Sequence, residues 1–158
     1  MPSDAKEKAD SILEEWDCVC NSLGIEHFLV FGTCLGMYRD KGYIVGDDDV
    51  DVGIWKKDFQ KLYERMIDRG YTSYPVELIQ REFNPEKIEQ IAWGTHIKFI
   101  KYDICLDLWI GLIYDSHHKD FLDSFDKVTY ESREYKVPHP IEDYLKRKYG
   151  ETWRIPLR

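Results

Sequence analysis

Four of the five residues from Asp47 to Asp51 are aspartates, and the last two of them, Asp49 and Asp51, alternate with valines in the run DVDVGIW. Such alternation predicts a strand, with Asp49 and Asp51 on one face and Val50, Val52 and Ile54 on the other. Two strand positions cover roughly 6.6 Å, so two flexible carboxylates placed there can converge on ions between them. Pairs of magnesium ions clamped about 3.5–4 Å apart by carboxylates are a recurrent device for in-line phosphoryl transfer. Magnesium prefers oxygen ligands and shares them with substrate phosphates, which makes it the expected ion, with manganese as the alternative. A solvated acidic turn accounts well for Asp47 and Asp48. It accounts poorly for two acids inside an alternating strand.

A further acid, Asp107, stands between Leu106 and Leu108 in ICLDLWI. Burying a carboxylate there costs several kcal/mol unless it is paired or bound to a metal. Two partners are open to it: a metal shared with Asp49 and Asp51, or a salt bridge to Lys98 on a neighbouring strand. Lys98 is also a candidate phosphate ligand. It shares a strand face with His96, which is either catalytic or an ordinary sheet histidine. Gly32-Thr33 follows the apolar run HFLVF. A glycine after a buried strand lets backbone approach a ligand, and the following helix offers free N–H groups to phosphate. Thr33 adds a hydroxyl. Arg39 is the nearest fixed cation, suited to a bidentate phosphate contact or to an ion pair holding the Asp47–Asp48 loop.

The elements that must position these residues follow from periodicity. Ala5, Ala9, Ile12, Leu13, Trp16, Val19 and Cys20 recur at helical spacing from Ser3 to about Ser22, with Gly24 as a stop. HFLVF reads as a buried strand, CLGMYRDK as a short helix and GYIVG as a loop. KKDFQKLYERMIDRG is an amphipathic helix ended by Gly70. Tyr71 to Trp93 shows no clear order. THIKFI and ICLDLWIGLIY read as strands joined at Lys101-Tyr102-Asp103, His117-His118 as an exposed turn, and the segment after Pro140 as a helix closed by Gly150. Tyr144, Leu145, Tyr149 and Trp153 seal the core. The pattern predicts an α+β (mixed α/β) fold, a small mixed sheet with helices packed on it, in a single domain over residues 1–158.

Composition narrows the partners. A formal charge of −8 counts against a surface that grips polymeric nucleic acid, though not against a small nucleotide brought in with metal ions. No apolar run is long enough to span a bilayer and the start lacks a signal core, so the chain reads as cytoplasmic. Cys18, Cys20, Cys34 and Cys105 form neither a zinc-knuckle pattern nor a disulfide framework, and read as reduced thiols.

The order Gly32-Thr33, Leu35-Gly36, Arg39, then Asp47-Asp48-Asp49-Val50-Asp51 resembles the signature of the LicD/fukutin-type phosphotransferases, of the nucleotidyltransferase superfamily. Asp107 matches the family's later strand aspartate, and VPHPIEDYLKRKYGETWRIP is similar to its closing segment. The resemblance implies a nucleotidyltransferase-like sheet and transfer of a phosphocholine- or polyol-phosphate-type group. The donor would be CDP-activated and the acceptor a glycan or other hydroxyl. By the same resemblance, Asp49, Asp51 and Asp107 hold the metals and act in catalysis, while Gly32, Thr33 and Arg39 handle donor phosphate. Val45-Gly46 stands where the family has proline-tryptophan, and Leu108-Trp109 where it has phenylalanine-proline. Those departures bear on donor and acceptor, not on the metal core. The alternatives are transfer of a nucleoside monophosphate to a small acceptor or protein, and a non-catalytic nucleotide-binding module.

Overall fold

The computed structural model describes residues 3–75, 96–112 and 117–156. Helix α1 (Ser3–Leu23) leads into strand β1 (His27–Leu29), and helix α2 (Phe31–Leu35) runs on through a π-helical turn, Gly36–Asp40. Strand β2 (Asp49–Ile54), helix α3 (Phe59–Asp68) and strand β3 (Thr72–Pro75) follow. Then come β4 (His96–Lys101), β5 (Ile104–Trp109), β6 (Phe125–Tyr130), β7 (Arg133–Pro138) and helix α4 (Ile141–Tyr149). The architecture is the α+β one expected.

Five strands form a mixed sheet in the order β1-β2-β5-β4-β3, and β6 and β7 pair separately. Among the described strands of this sheet, only β2 and β5 run parallel; β1–β2, β4–β5 and β3–β4 are antiparallel. Side-chain alternation divides the sheet into two unlike faces. Val50, Val52, Ile54, Leu106, Leu108, Ile97 and Phe99 bury the rear face in one core cluster with Ile12, Leu13 and Trp16 of α1 and Phe59, Leu62 and Met66 of α3. The front face carries Asp49 and Asp51 on β2, Cys105, Asp107 and Trp109 on β5 and Lys98 on β4.

Several boundaries depart from the sequence expectation. The first strand is three residues long and sits at the sheet edge. The helix after it starts at Phe31 rather than Cys34, so Gly32 and Thr33 lie in its first turn. The β6–β7 hairpin and β3 are further elements that the periodicity does not mark. Of the stretch without clear order, residues 76–93 lie outside the described residues. The β4–β5 turn falls as predicted, with Tyr102 and Asp103 at φ 56° and 63°; Glu131 and Ser132 repeat that left-handed pair at 48° and 66° between β6 and β7. Among the described residues, no helix is long and apolar enough to cross a membrane.

Candidate active site

The parallel pairing of β2 with β5 sets Asp51 directly opposite Asp107 and Asp49 opposite Cys105. One carboxylate oxygen from each of Asp49, Asp51 and Asp107 lies within 4.8 Å of the others. The structure thus brings together the three acids that the sequence singled out. Asp47, Asp48 and Asp49 form a second such group in the preceding loop, so Asp49 belongs to both.

Lys98 lies across from Asp107 on the antiparallel β4, with Nζ 2.8 Å from Asp107 Oδ1. Asp107 thus makes the expected salt bridge and also lies in the carboxylate group that could hold a metal. It is also nearly enclosed, at 4% exposure. Burial works against the Lys98 charge, but Asp107 more than offsets it and holds the amine above its ordinary range. The side chain of His96 lies outside the described residues.

Crowding is legible in the titration of the other two acids. Burial, a hydrogen bond with Asp47 and the charge of Asp51 push Asp49 up to about 9. Asp51 is pushed up to about 7, by burial first and by the charge of Asp107 second, against a small opposing effect of Trp109. Among the described residues, Lys98 is the cation paired with this group, and one charge does not balance three carboxylates held this close. An all-oxygen donor set with excess negative charge fits a hard divalent cation, and Asp49, Asp51 and Asp107 are the residues that would hold it.

Gly32 comes to the same place from α2. A Cβ at this position would meet Asp47 Oδ2 at 3.0 Å and Asp51 Oδ2 at 3.6 Å. The missing side chain lets the first turn of α2 lie against the carboxylates. The N–H groups of Gly32 and Thr33 belong to that first turn, where no carbonyl four residues back lies within the helix to receive them. The Thr33 side chain does different work from the one expected. It is buried, and its Oγ1 accepts the backbone N–H of Asp51 at 2.8 Å. Thr33 thereby ties α2 to β2 at the aspartate itself.

Arg39 also differs in its partners. Its guanidinium holds Asp40 through two bonds of 2.7 and 2.9 Å and donates to the Trp153 carbonyl at 3.0 Å. The ion pair is therefore with Asp40, not with the Asp47–Asp48 loop.

Three neighbours escaped the sequence reading. Cys105 Sγ is 3.5 Å from Asp107 Oδ1 and 3.6 Å from Lys98 Nζ, and burial with the Asp107 charge pushes the thiol up to about 12. The Trp109 indole N–H lies 3.4 Å from Asp51 Oδ1. His118, placed by sequence in an exposed turn, is fully buried, with Nε2 2.8 Å from the Tyr144 hydroxyl. Strand parity on β5 could have flagged Cys105 and Trp109, which share the face of Asp107. No sequence signal marked His118. Of the paired N-terminal cysteines, Cys18 is exposed and Cys20 buried, and neither joins a metal-ready cluster among the described residues.

A mixed sheet with two acids on one strand, a third in register on its parallel neighbour and a Gly-Thr turn against them defines a nucleotidyltransferase-like, metal-ready site. Residues 24–140 match the family described as LicD/FKTN/FKRP, nucleotidyltransferase domain, and the chain belongs to that family. It is 30% identical to the ribitol-5-phosphate transferase FKTN of Mus musculus, over 97% of this chain and 34% of that protein. Identity to the Homo sapiens protein of the same name is 28% over the same shares. Against the lipopolysaccharide cholinephosphotransferase LicD of Haemophilus influenzae it is 30%, over 42% of this chain and 25% of that protein. The chain spans about a third of the length of the FKTN relatives it matches.

Proposed function

We propose that this chain is a metal-dependent phosphotransferase domain, moving a head group with one phosphate from a CDP-activated donor to a hydroxyl of a glycan. The observation that carries this is the convergence of Asp49, Asp51 and Asp107 within 4.8 Å beside Gly32. Likeness to ribitol-5-phosphate transferases extends over 97% of the chain, against 42% for the cholinephosphotransferase, which favours a polyol phosphate over phosphocholine.

When bound, divalent magnesium supplies charge neutralisation and Lewis-acid polarisation of the donor phosphates. The chain's own residues do the rest. The N–H groups of Gly32 and Thr33 receive donor phosphate oxygens, where the absence of a Cβ at Gly32 leaves room. Lys98 adds a cation at the inner end of the site. The acceptor oxygen bonds to the head-group phosphorus, the bond to the departing phosphate breaks with its electron pair, and CMP leaves. Asp107 takes the hydroxyl proton. Arg39 would join the donor phosphates only by exchanging Asp40 for them.

Incubation with a CDP-linked polyol, CDP-choline and a hydroxyl-bearing glycan, with magnesium or with chelator, tests this. Magnesium-dependent release of CMP, with the polyol phosphate appearing on the glycan, is the expected result. Appearance of a nucleoside monophosphate on the acceptor would establish the nucleotidyltransferase alternative instead. No nucleotide binding by the folded, metal-loaded protein would leave a non-catalytic module.

A further inference from the structure

The turn that brings Gly32 to the carboxylates is held from the far end of the chain. Phe31 N–H donates to the Tyr144 hydroxyl at 3.0 Å. His118 Nε2 lies 2.8 Å from the same oxygen. A neutral histidine with its proton on Nδ1 leaves Nε2 to accept the phenol's own proton. Tyr144 and His118 are both at 0% exposure, so the bond between them does not compete with bulk water. Burial drives the phenol far above its ordinary range, and the hydroxyl keeps that proton.

What this bond secures is unusual backbone. Phe31 has φ 47°, a left-handed conformation that a bulky residue adopts only when its surroundings enforce it. Its ring lies 4.6 Å from Trp109 and 4.7 Å from His118, centroid to centroid. Trp109 in turn directs its indole N–H toward Asp51. The residue after Phe31 is the glycine against the carboxylates, and Thr33 holds the Asp51 amide.

We infer that Tyr144, backed by His118, is a positioning residue for this site: its hydroxyl fixes the Phe31 backbone, and through it the Gly32–Thr33 turn and the Trp109 indole against Asp51. The inference rests on the proposed reading of that turn as the donor-phosphate site. A residue that only sealed the core would need its ring and not its hydroxyl. Tyr144→Phe keeps the ring and takes the acceptor from the Phe31 N–H, which separates the two roles.

The test compares wild type and Tyr144→Phe in three measurements: manganese affinity by calorimetric titration, amide hydrogen exchange at residues 31–33, and kcat and KM for a CDP-linked donor. Affinity for manganese should fall and donor KM rise, each on the order of tenfold, with faster exchange confined to residues 31–33 and the start of β2. His118→Gln offers an amide oxygen to the phenol and should behave nearly as wild type. His118→Leu should reproduce the loss, so the pair decides the matter even if Tyr144→Phe does not fold. Unchanged manganese affinity and unchanged exchange at residues 31–33 would overturn the inference, whatever happens to melting temperature. Manganese affinity and exchange need no turnover. A wild type without transferase activity would therefore defeat the proposed function while these two readouts still judged Tyr144.

Discussion

Asp51 and Asp107 face each other in register on the parallel strand pair β2–β5 of the five-stranded sheet. A carboxylate oxygen of each lies within 4.8 Å of the other, and like charges so placed repel. The pairing costs folding free energy that Lys98 offsets at the Asp107 end, and a bound cation would offset it further. Replacing Asp49 or Asp51 with asparagine should therefore separate function from stability. Loss of an outer partner of a metal ligand already costs about 10–100-fold, so loss of a ligand itself should cut transfer by at least about a hundredfold. Melting temperature in chelator should hold or rise as repulsion is relieved. A variant that kept activity, or one that unfolded, would remove that aspartate from the metal set.

Acidity gives a second prediction. Asp49 at about 9 and Asp51 at about 7 stand above the ordinary carboxylate value of about 4 that the unfolded chain provides. Both folded values are raised, so their contribution is fully present below about 4 and is lost progressively as pH rises from there through about 7 for Asp51 and about 9 for Asp49. In chelator, the melting temperature of wild type should fall across this window relative to Asp49→Asn and Asp51→Asn. Magnesium should flatten the difference, because a cation favours the ionised carboxylates. Parallel curves for all three proteins in chelator would show that the acids are not crowded in solution.

The acidic half of the site was legible because strand alternation is the plainest signal a sequence carries. Asp49 and Asp51 alternating with Val50 and Val52, and Asp107 between leucines, could share a front face only if the valines and leucines filled the rear, and they do. Register between strands was not legible, and only register puts Asp51 opposite Asp107 and Lys98 across from it. Thr33 shows the same limit: its type suggests a hydroxyl for phosphate, but its partner, the Asp51 amide, is 18 residues away. The β6–β7 hairpin was missed because Glu131-Ser132 fills a left-handed turn that usually announces itself with glycine or asparagine. Tyr144 read correctly as a core residue, while its bond to Phe31 spans 113 positions and leaves no trace in local sequence.

Arg39 offers a prediction in which two roles diverge. Its planar fork grips Asp40 and the Trp153 carbonyl, joining the π-helical turn to the segment after α4. A lysine cannot reproduce the fork. If the role is structural, Asp40→Asn and Arg39→Lys should lower melting temperature alike, by about 1 kcal/mol of stability or less, with donor KM little changed. A rise in donor KM on the order of tenfold for Arg39→Lys, without one for Asp40→Asn, would instead show that the guanidinium meets phosphate.

Lys98 is the cation in contact with the buried carboxylate, and its removal tests how the site stays folded without metal. Its Nζ lies 2.8 Å from Asp107 Oδ1, with side-chain exposures of 36% for Lys98 and 6% for Asp107. Removing one partner of a fully buried pair costs about 3–5 kcal/mol, and solvent at the lysine end reduces this to about 1–2 kcal/mol. Lys98→Met in chelator should be destabilised by that amount, since methionine keeps the aliphatic stem and loses only the charge. Magnesium should then raise the melting temperature of Lys98→Met more than that of wild type, because the ion takes over the neutralisation of Asp107. If Lys98 also meets donor phosphate, donor KM should rise in the magnesium-loaded variant even though its stability is restored. Equal magnesium stabilisation of the two proteins would mean that Asp107 does not join Asp49 and Asp51 around the ion.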